Sequence, residues 1–331
     1  MKALILSEYG SPDDLRVSDV DRPEPKANEV LVRVHAASVN DWDWAMVCGS
    51  PFYIRLLCGL FRPKIRIPGV DVAGTVTAVG ADIKTLEPGD NVYGDLSECG
   101  FGAFAEFVCV PETAVVKMPD DMSFEAAAAL PHAAMLAVQA LFDYGQFRPG
   151  QKLLFNGAGG GMGSIGVQIA KAEGATDITG VDSGAKTDMM IAAGFGTTID
   201  YQAEDFTKSG KRYDLILDAK TTRSPFAYLR ALAPGGTYAT VGGVTGRVFQ
   251  AFLLGPVIRW FTKKHIRVVA LKTNKDMDFV NTLYNTGKLR PVIDGPYPLS
   301  DLPKALQCFG EGRHKGKVVI SIGQGDRETG L

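Results

Sequence analysis

The chain has 331 residues, 46% of them hydrophobic, with 38 glycines and 18 prolines, which is enough to bury a large core and points to two domains. A formal charge of −2 and the lack of any run of five or six like charges leave no field for a polyanion, so no nucleic-acid partner is expected. Five cysteines (Cys48, Cys58, Cys99, Cys109 and Cys308) are odd in number and contain no C-x-x-C pair, which argues against a zinc ribbon or a complete disulfide framework and for a reducing compartment.

The apolar run Met1 to Leu6 is too short for a secretory signal, and the longest apolar stretch, Phe249 to Phe261, is interrupted by Arg259. No transmembrane segment is read, and a cytoplasmic location is expected. Val30 to Ala36 alternates apolar and mixed residues, and Val70 to Val79 is rich in β-branched residues; both predict strands. Further strand signals at 104–110 and 113–117, separated by turns such as Glu87-Pro88-Gly89-Asp90, make the first 120 residues mostly β. Near Ser123 the pattern changes to an N-cap followed by strong helix formers. The runs 152–156, 177–181, 213–218, 237–241 and 266–271 then alternate with amphipathic segments, the mark of a doubly wound α/β domain with a parallel sheet. Helical patterns follow at 275–286 and 301–311, and a strand pattern at 317–322.

Within this second region, residues 157–166 carry six glycines in ten positions. They follow a predicted strand and open a predicted helix, Ser164 to Ala172, which turns a weak pattern into a usable one. Two registers are open, Gly157-x-x-Gly160-x-x-Gly163 and Ala158-x-Gly160-x-x-Gly163. In either, glycines make a tight turn, admit a pyrophosphate to the backbone, and pack helix on strand, with the diphosphate at N–H groups near Gly161 and Met162. Asp182, 19 residues past Gly163, fits a hydrogen bond to a ribose 2′-OH, which favours NADH. Ser183, Lys186 and Tyr201 fit a 2′-phosphate, which favours NADPH. An ionised carboxylate about 5 Å from that phosphate opposes it by about 3 kcal/mol at an effective dielectric of about 20, unless Lys186 or solvent offsets it.

The whole chain resembles the medium-chain dehydrogenase/reductase superfamily, and within it the zinc-independent quinone oxidoreductases. The resemblance is carried by Ala36 to Asp43, Pro68 to Gly74, Pro88 to Val92, the glycine loop, Ile199 to Tyr201, Tyr213 to Asp218 and Gly316 to Val319. It implies a GroES-like β domain from residues 1–122 and 271–331 around a Rossmann domain at 123–270, and commonly a homodimer. Where zinc-dependent relatives carry a cysteine and a histidine as metal ligands, this chain has Asn40 and Val70, which cannot replace a thiolate and an imidazole. The four-cysteine structural zinc lobe is absent too, so no zinc is expected. The implied reaction is hydride transfer from NADPH, slightly favoured, or NADH to a quinone or an α,β-unsaturated carbonyl (enone), in which conjugation spreads the developing charge onto an oxygen.

By the same resemblance Asn40 is the first candidate donor to cofactor or substrate, with capping of a turn as the alternative, and Tyr53 is a second candidate. Val241, Gly242 and Gly243 would let backbone approach the nicotinamide. Two positions depart from the family pattern: Leu136 stands where relatives usually have Thr, and Lys220-Thr221 where they have Val-Gly. These departures motivate a catalytically silent nucleotide-binding scaffold or sensor as one alternative; an NAD(P)-dependent alcohol dehydrogenase is the other. The histidines 35, 132, 265 and 314 are scattered, and the nucleophile elbow G-x-S-x-G fails at Met162 beside Ser164. Segments 51–67 and 249–267 mix bulky apolar residues with Arg and Lys. Buried packing is their first reading, with a substrate entrance, a subunit contact or a membrane surface as alternatives.

Overall fold

Short runs of β-branched and small residues build the first of two units in the computed structural model, which describes residues 1–323. That unit comprises Met1–His132, Thr273–Asn281 and the described residues from Ile293; the second comprises Ala133–Lys272 and Thr282–Val292. In chain order the strands of the N-terminal stretch are β1 (Lys2–Ile5), β2 (Arg16–Asp19), β3 (Glu29–Ser38), β4 (Asp71–Val79), β5 (Asn91–Asp95), β6 (Phe107–Pro111) and β7 (Val116–Lys117). The middle of the chain supplies β8 (Lys152–Asn156), β9 (Asp177–Asp182), β10 (Thr197–Asp200), β11 (Tyr213–Asp218), β12 (Leu232–Thr240) and β13 (His265–Val268), and the end supplies β14 (Ile293–Pro298) and β15 (Lys317–Ser321).

In the first unit, β14, β15, β3, β4, β5 and β7 follow one another across a sheet, with β6 also paired to β3. Because β3 pairs with β4, β6 and β15, it is buried along most of its length rather than alternately. Leu4, Val32, Val34, Met46, Val72, Phe104 and Ile320 form its core. The predicted strand at 104–110 shortens to β6 because Ala103 and Phe104 donate instead to Gly69 and Pro68. A 3₁₀ turn, Glu112–Ala114, cuts the one at 113–117 to two residues.

The second unit is a six-stranded parallel sheet in the order β10-β9-β8-β11-β12-β13. Starting at β8, the chain winds outward to β10, returns to the centre at β11 and winds the other way to β13, the doubly wound course read from the sequence. Strand β10 was not among the five apolar runs; its Thr197-Thr198-Ile199-Asp200 has one fully apolar residue. The long apolar stretch is an 18-residue helix, Thr245–Thr262. Here the buried reading of 249–267 and 51–67 holds for one face only: Ile54, Cys58, Ala251, Ile258 and Ile266 lie in the core, and the bulky residues of the other face do not. Ala251, Leu254, Gly255 and Ile258 satisfy the inward face of the helix, leaving Phe249, Phe252, Trp260 and Phe261 exposed. Phe52, Leu56, Leu57 and Phe61 are exposed likewise around the helix Phe52–Cys58. None of the helices is long and apolar enough to cross a membrane, among the described residues.

Candidate functional site

The winding reverses between β8 and β11, and open α/β sheets bind ligands outside the strand ends at such a switch point. The glycine loop lies there. Gly157 has φ +88, where only glycine is unstrained, and the N–H groups of Gly157 and Ala158 both donate to the Val181 carbonyl, at 2.9 and 3.1 Å. The loop is thereby drawn against β9. A Cβ on Gly163 would lie 2.5 Å from the Ala158 Cα, so helix Gly161–Ala172 can pack on the loop only with glycine there. Gly157, Ala158, Met162 and Gly163 are buried, whereas Gly160, which caps the helix, and Gly161 remain half-exposed at its positive end.

Just beyond β9, Asp182 is buried and turned inward. Its carboxylate accepts the Gly159 N–H at 2.9 Å and the Ser183 N–H at 2.9 Å, and Lys186 Nζ stands 3.4 Å away. The Lys186 stem crosses Gly159 so closely that a Cβ there would meet it at 2.4 Å. Tyr201, at the end of β10, donates its N–H to the Asp182 carbonyl and exposes its ring. Asp182, Ser183, Lys186 and Tyr201 are therefore one cluster, with the two charges facing each other beneath the loop.

Across the switch point, Asp218 at the end of β11 organises the opposite wall. It accepts Asn156 Nδ2 at 2.8 Å, the Lys220 and Thr221 N–H groups at 2.8 and 2.9 Å, and the Tyr238 hydroxyl at 2.9 Å. Thr221 adopts φ +35, a costly conformation for a β-branched residue, and its hydroxyl bonds Thr240 at 2.5 Å and Tyr238 at 3.1 Å. Gly243, φ +126, crosses the Lys220 carbonyl where a Cβ would sit 2.0 Å from it. Lys220 also lies against Gly157, which brings the loop and the Val241-Gly242-Gly243 turn to the same crevice. Leu136 is half-buried on the helix Pro131–Gln139.

Asn40 belongs to the first unit, at the start of helix Asp41–Cys48, and is 4% exposed. Its amide is already engaged: Oδ1 accepts from Lys317 Nζ, and Nδ2 donates to Asp71 at 2.9 Å. Asp71 also accepts Ser38 Oγ at 2.7 Å and the His132 N–H at 3.0 Å, and pairs with Lys317 at 3.0 Å. Burial pushes the neighbouring Asp43 carboxyl up to about 7, against the opposing pull of the Asn40 and Gly69 N–H groups it accepts. His132 Nδ1 meets Asp95 at 2.7 Å. Burial works against its charge, but the Asp95 hydrogen bond and charge outweigh it and raise the imidazole, while Asp95 is correspondingly lowered. Sequence reasoning gave no role to Asp71, Lys317, Asp95 or Asp218, although Asp71, Asp218 and Lys317 lie inside quoted family segments. Tyr53 is half-exposed on the helix Phe52–Cys58 and takes no part in this network. His35 bonds Thr75 and lies tilted against the Phe124 ring, and His314 stacks on Phe309. No group of three His, Cys, Asp or Glu that could hold a metal ion occurs among the described residues.

Residues 26–120 match the alcohol dehydrogenase GroES-like domain, so the first unit carries the GroES-like fold; residues 193–320 match the zinc-binding dehydrogenase family, and the parallel sheet of the second unit is of the Rossmann type. A 2-methylene-furan-3-one reductase of Solanum lycopersicum is 31% identical over 97% of this chain and 79% of that protein. An NADPH-dependent alkenal/one oxidoreductase, chloroplastic, of Arabidopsis thaliana is 30% identical over the same shares. The solved quinone oxidoreductase of Coxiella burnetii superposes with a TM-score of 0.84 at 27% identity, covering 98% of this chain and 99% of that one.

Proposed function

We propose that this chain, which belongs to the quinone-oxidoreductase-like branch of the medium-chain dehydrogenase/reductase superfamily, is an NAD(P)H-dependent reductase of quinones or α,β-unsaturated carbonyls that works without zinc. The observation that carries it is the glycine loop at the switch point, closed to side chains at Gly157 and Gly163 and open at the half-exposed helix mouth. A nicotinamide dinucleotide, when bound, supplies the hydride. The chain's own residues bind and orient. Gly160 and Gly161 offer N–H groups to the diphosphate, the Asp182 cluster receives the adenosine ribose, and the Val241-Gly242-Gly243 turn gives backbone access to the nicotinamide.

NADPH is the favoured form. The Asp182 carboxylate is taken up by two N–H groups and Lys186, which offsets the repulsion of a 2′-phosphate, and Ser183 and Tyr201 stand beside it. Asn40, its amide committed to Lys317 and Asp71, acts as a positioning residue that holds this buried charge pair in register, rather than as a free donor. Its replacement by Ala is expected to lower kcat with a smaller change in KM. The proposed working form is a cytoplasmic homodimer.

Parallel thermal-shift titrations with NADPH and NADH, followed by turnover of a quinone and enone panel, test the reading. Concentration-dependent stabilisation by NADPH and reduction of at least one acceptor are expected. Failure to bind either nucleotide refutes it, activity restored by stoichiometric zinc on an alcohol points to an alcohol dehydrogenase, and tight binding without turnover points to a silent scaffold.

A further inference from the structure

We propose that the helix Thr245–Thr262 docks this protein flat on the surface of an anionic lipid bilayer. The helix is apolar on two opposite faces. One packs inward through Ala251, Leu254, Gly255 and Ile258. The other carries Phe249, Phe252, Leu253, Val257, Trp260 and Phe261, of which Phe249, Phe252, Trp260 and Phe261 are 59, 64, 85 and 80% exposed. At 3.6 residues per turn these six fall on one arc roughly 180° wide. Contiguous apolar surface of this kind marks an interaction site, whereas a single exposed Leu or Phe does not.

Charge selects the occupant. Arg259 and Arg247 lie at the two edges of the apolar arc, and Lys263 ends the helix. From Ala219 to Lys275 the chain has ten Lys and Arg and no Asp or Glu, in a protein whose formal charge is −2. A second copy would set one cationic rim against another, which disfavours a symmetric contact. An anionic headgroup layer complements that rim while the acyl boundary accepts the aromatic arc, the arrangement of an amphipathic helix lying in the interface. Eighteen residues span about 27 Å, and the helix is too short of apolar residues to cross, so it lies along the surface. Trp260, the most exposed residue of the arc, has an amphipathic ring suited to headgroup depth.

Vesicle flotation and Trp fluorescence with the full chain test this, comparing phosphatidylcholine vesicles with ones holding about 30% phosphatidylserine. Binding at least about tenfold tighter to the anionic vesicles, a blue-shifted Trp260 emission, and weakening between about 0.1 and about 0.5 M salt are expected. Trp260→Ser with Phe261→Ser should cut binding about tenfold, and Arg247→Gln with Arg259→Gln and Lys263→Gln should erase the anionic preference, both with unchanged circular dichroism and Tm. These side chains are at the surface, so the variants should fold. No flotation of folded wild-type protein, or equal binding to neutral and anionic vesicles, overturns the proposal. So does a dimer that the Trp260 and Phe261 changes convert to monomer while wild-type protein ignores vesicles, because a second copy then covers the face.

Discussion

Replacing Lys317 with Met tests whether a buried charge pair holds the first unit together. Lys317 Nζ lies 3.0 Å from the Asp71 carboxylate, with the two side chains 5% and 0% exposed, so solvent screens little of their attraction. At an effective dielectric of about 20 that separation corresponds to about 5 kcal/mol, and removing one member of such a pair costs about 3–5 kcal/mol because the other is left charged and buried. Ser38, Asn40 and the His132 N–H still face Asp71, which places the expected loss near the lower figure, about 3 kcal/mol. Urea unfolding followed by tryptophan fluorescence suits the question, since Trp42 and Trp44 sit on the helix that Asn40 begins. With a slope of about 2 kcal/mol/M the midpoint should fall by about 1.5 M. Adding Asp71→Asn to Lys317→Met removes the orphaned charge and should restore about half of the loss. A single variant within about 1 kcal/mol of wild type, or a double variant weaker than the sum of its parts, refutes this account.

Asp182→Ala removes the acceptor for the Gly159 and Ser183 N–H groups, so NADPH and NADH affinities should both fall about tenfold; a gain for NADPH alone would mean that charge repulsion outweighs loop support. Gly163→Val drives a side chain into Ala158 and should abolish nucleotide stabilisation in a thermal-shift titration, and preserved stabilisation would place the diphosphate elsewhere. The His132–Asp95 pair gives a pH window. Its stabilising effect should be full between the ordinary carboxylate and imidazole values, 3.8 and 6.5, fading as pH rises through the raised His132 value or falls through the lowered Asp95 value. A urea-midpoint difference between wild type and Asp95→Asn that ignores pH would contradict the pairing. Thr221→Gly trades about 1–3 kcal/mol of backbone strain against two hydroxyl hydrogen bonds. Stability should therefore move by about 1 kcal/mol while nucleotide affinity drops, and unchanged affinity would detach Thr221 from the site.

What could be read in the sequence was what depends on local pattern. The runs at 152–156 and 213–218 are continuous apolar strands flanked by helix formers, and both stand with the same ends in the sheet. Glycine clustering announced the loop because backbone exclusion leaves a local signature. Lys317 and Asp71 left none: a lysine inside a strand, 246 positions from its carboxylate, becomes an ion pair only once β15 is laid beside β3 and β4 beside β3. Asn40 was singled out by resemblance, but the direction of its amide is decided by those distant partners. The exposed helix misled the pattern for another reason. Hydrophobicity on both faces reads as full burial, and only the sheet shows which face was used.

Leu136, Lys220 and Thr221 together motivate the silent-scaffold alternative, the last two because they replace the family's usual Val-Gly. In the fold the Lys220-Thr221 turn is held by several partners. A threonine at φ +35 persists only if its surroundings over-determine it, and here Asp218, Thr240 and Tyr238 all bind the same short turn. Asn156, the last residue before the glycine loop, joins the same carboxylate, so the loop's approach and the strained turn are fixed by one buried anion. A glycine at 221 would reach that backbone conformation without strain but would contribute no hydroxyl to lock the two strand ends together. The substitution thus exchanges conformational ease for rigidity at the crevice proposed to hold the nucleotide, and a fixed alignment of donor and acceptor is what hydride transfer would require there.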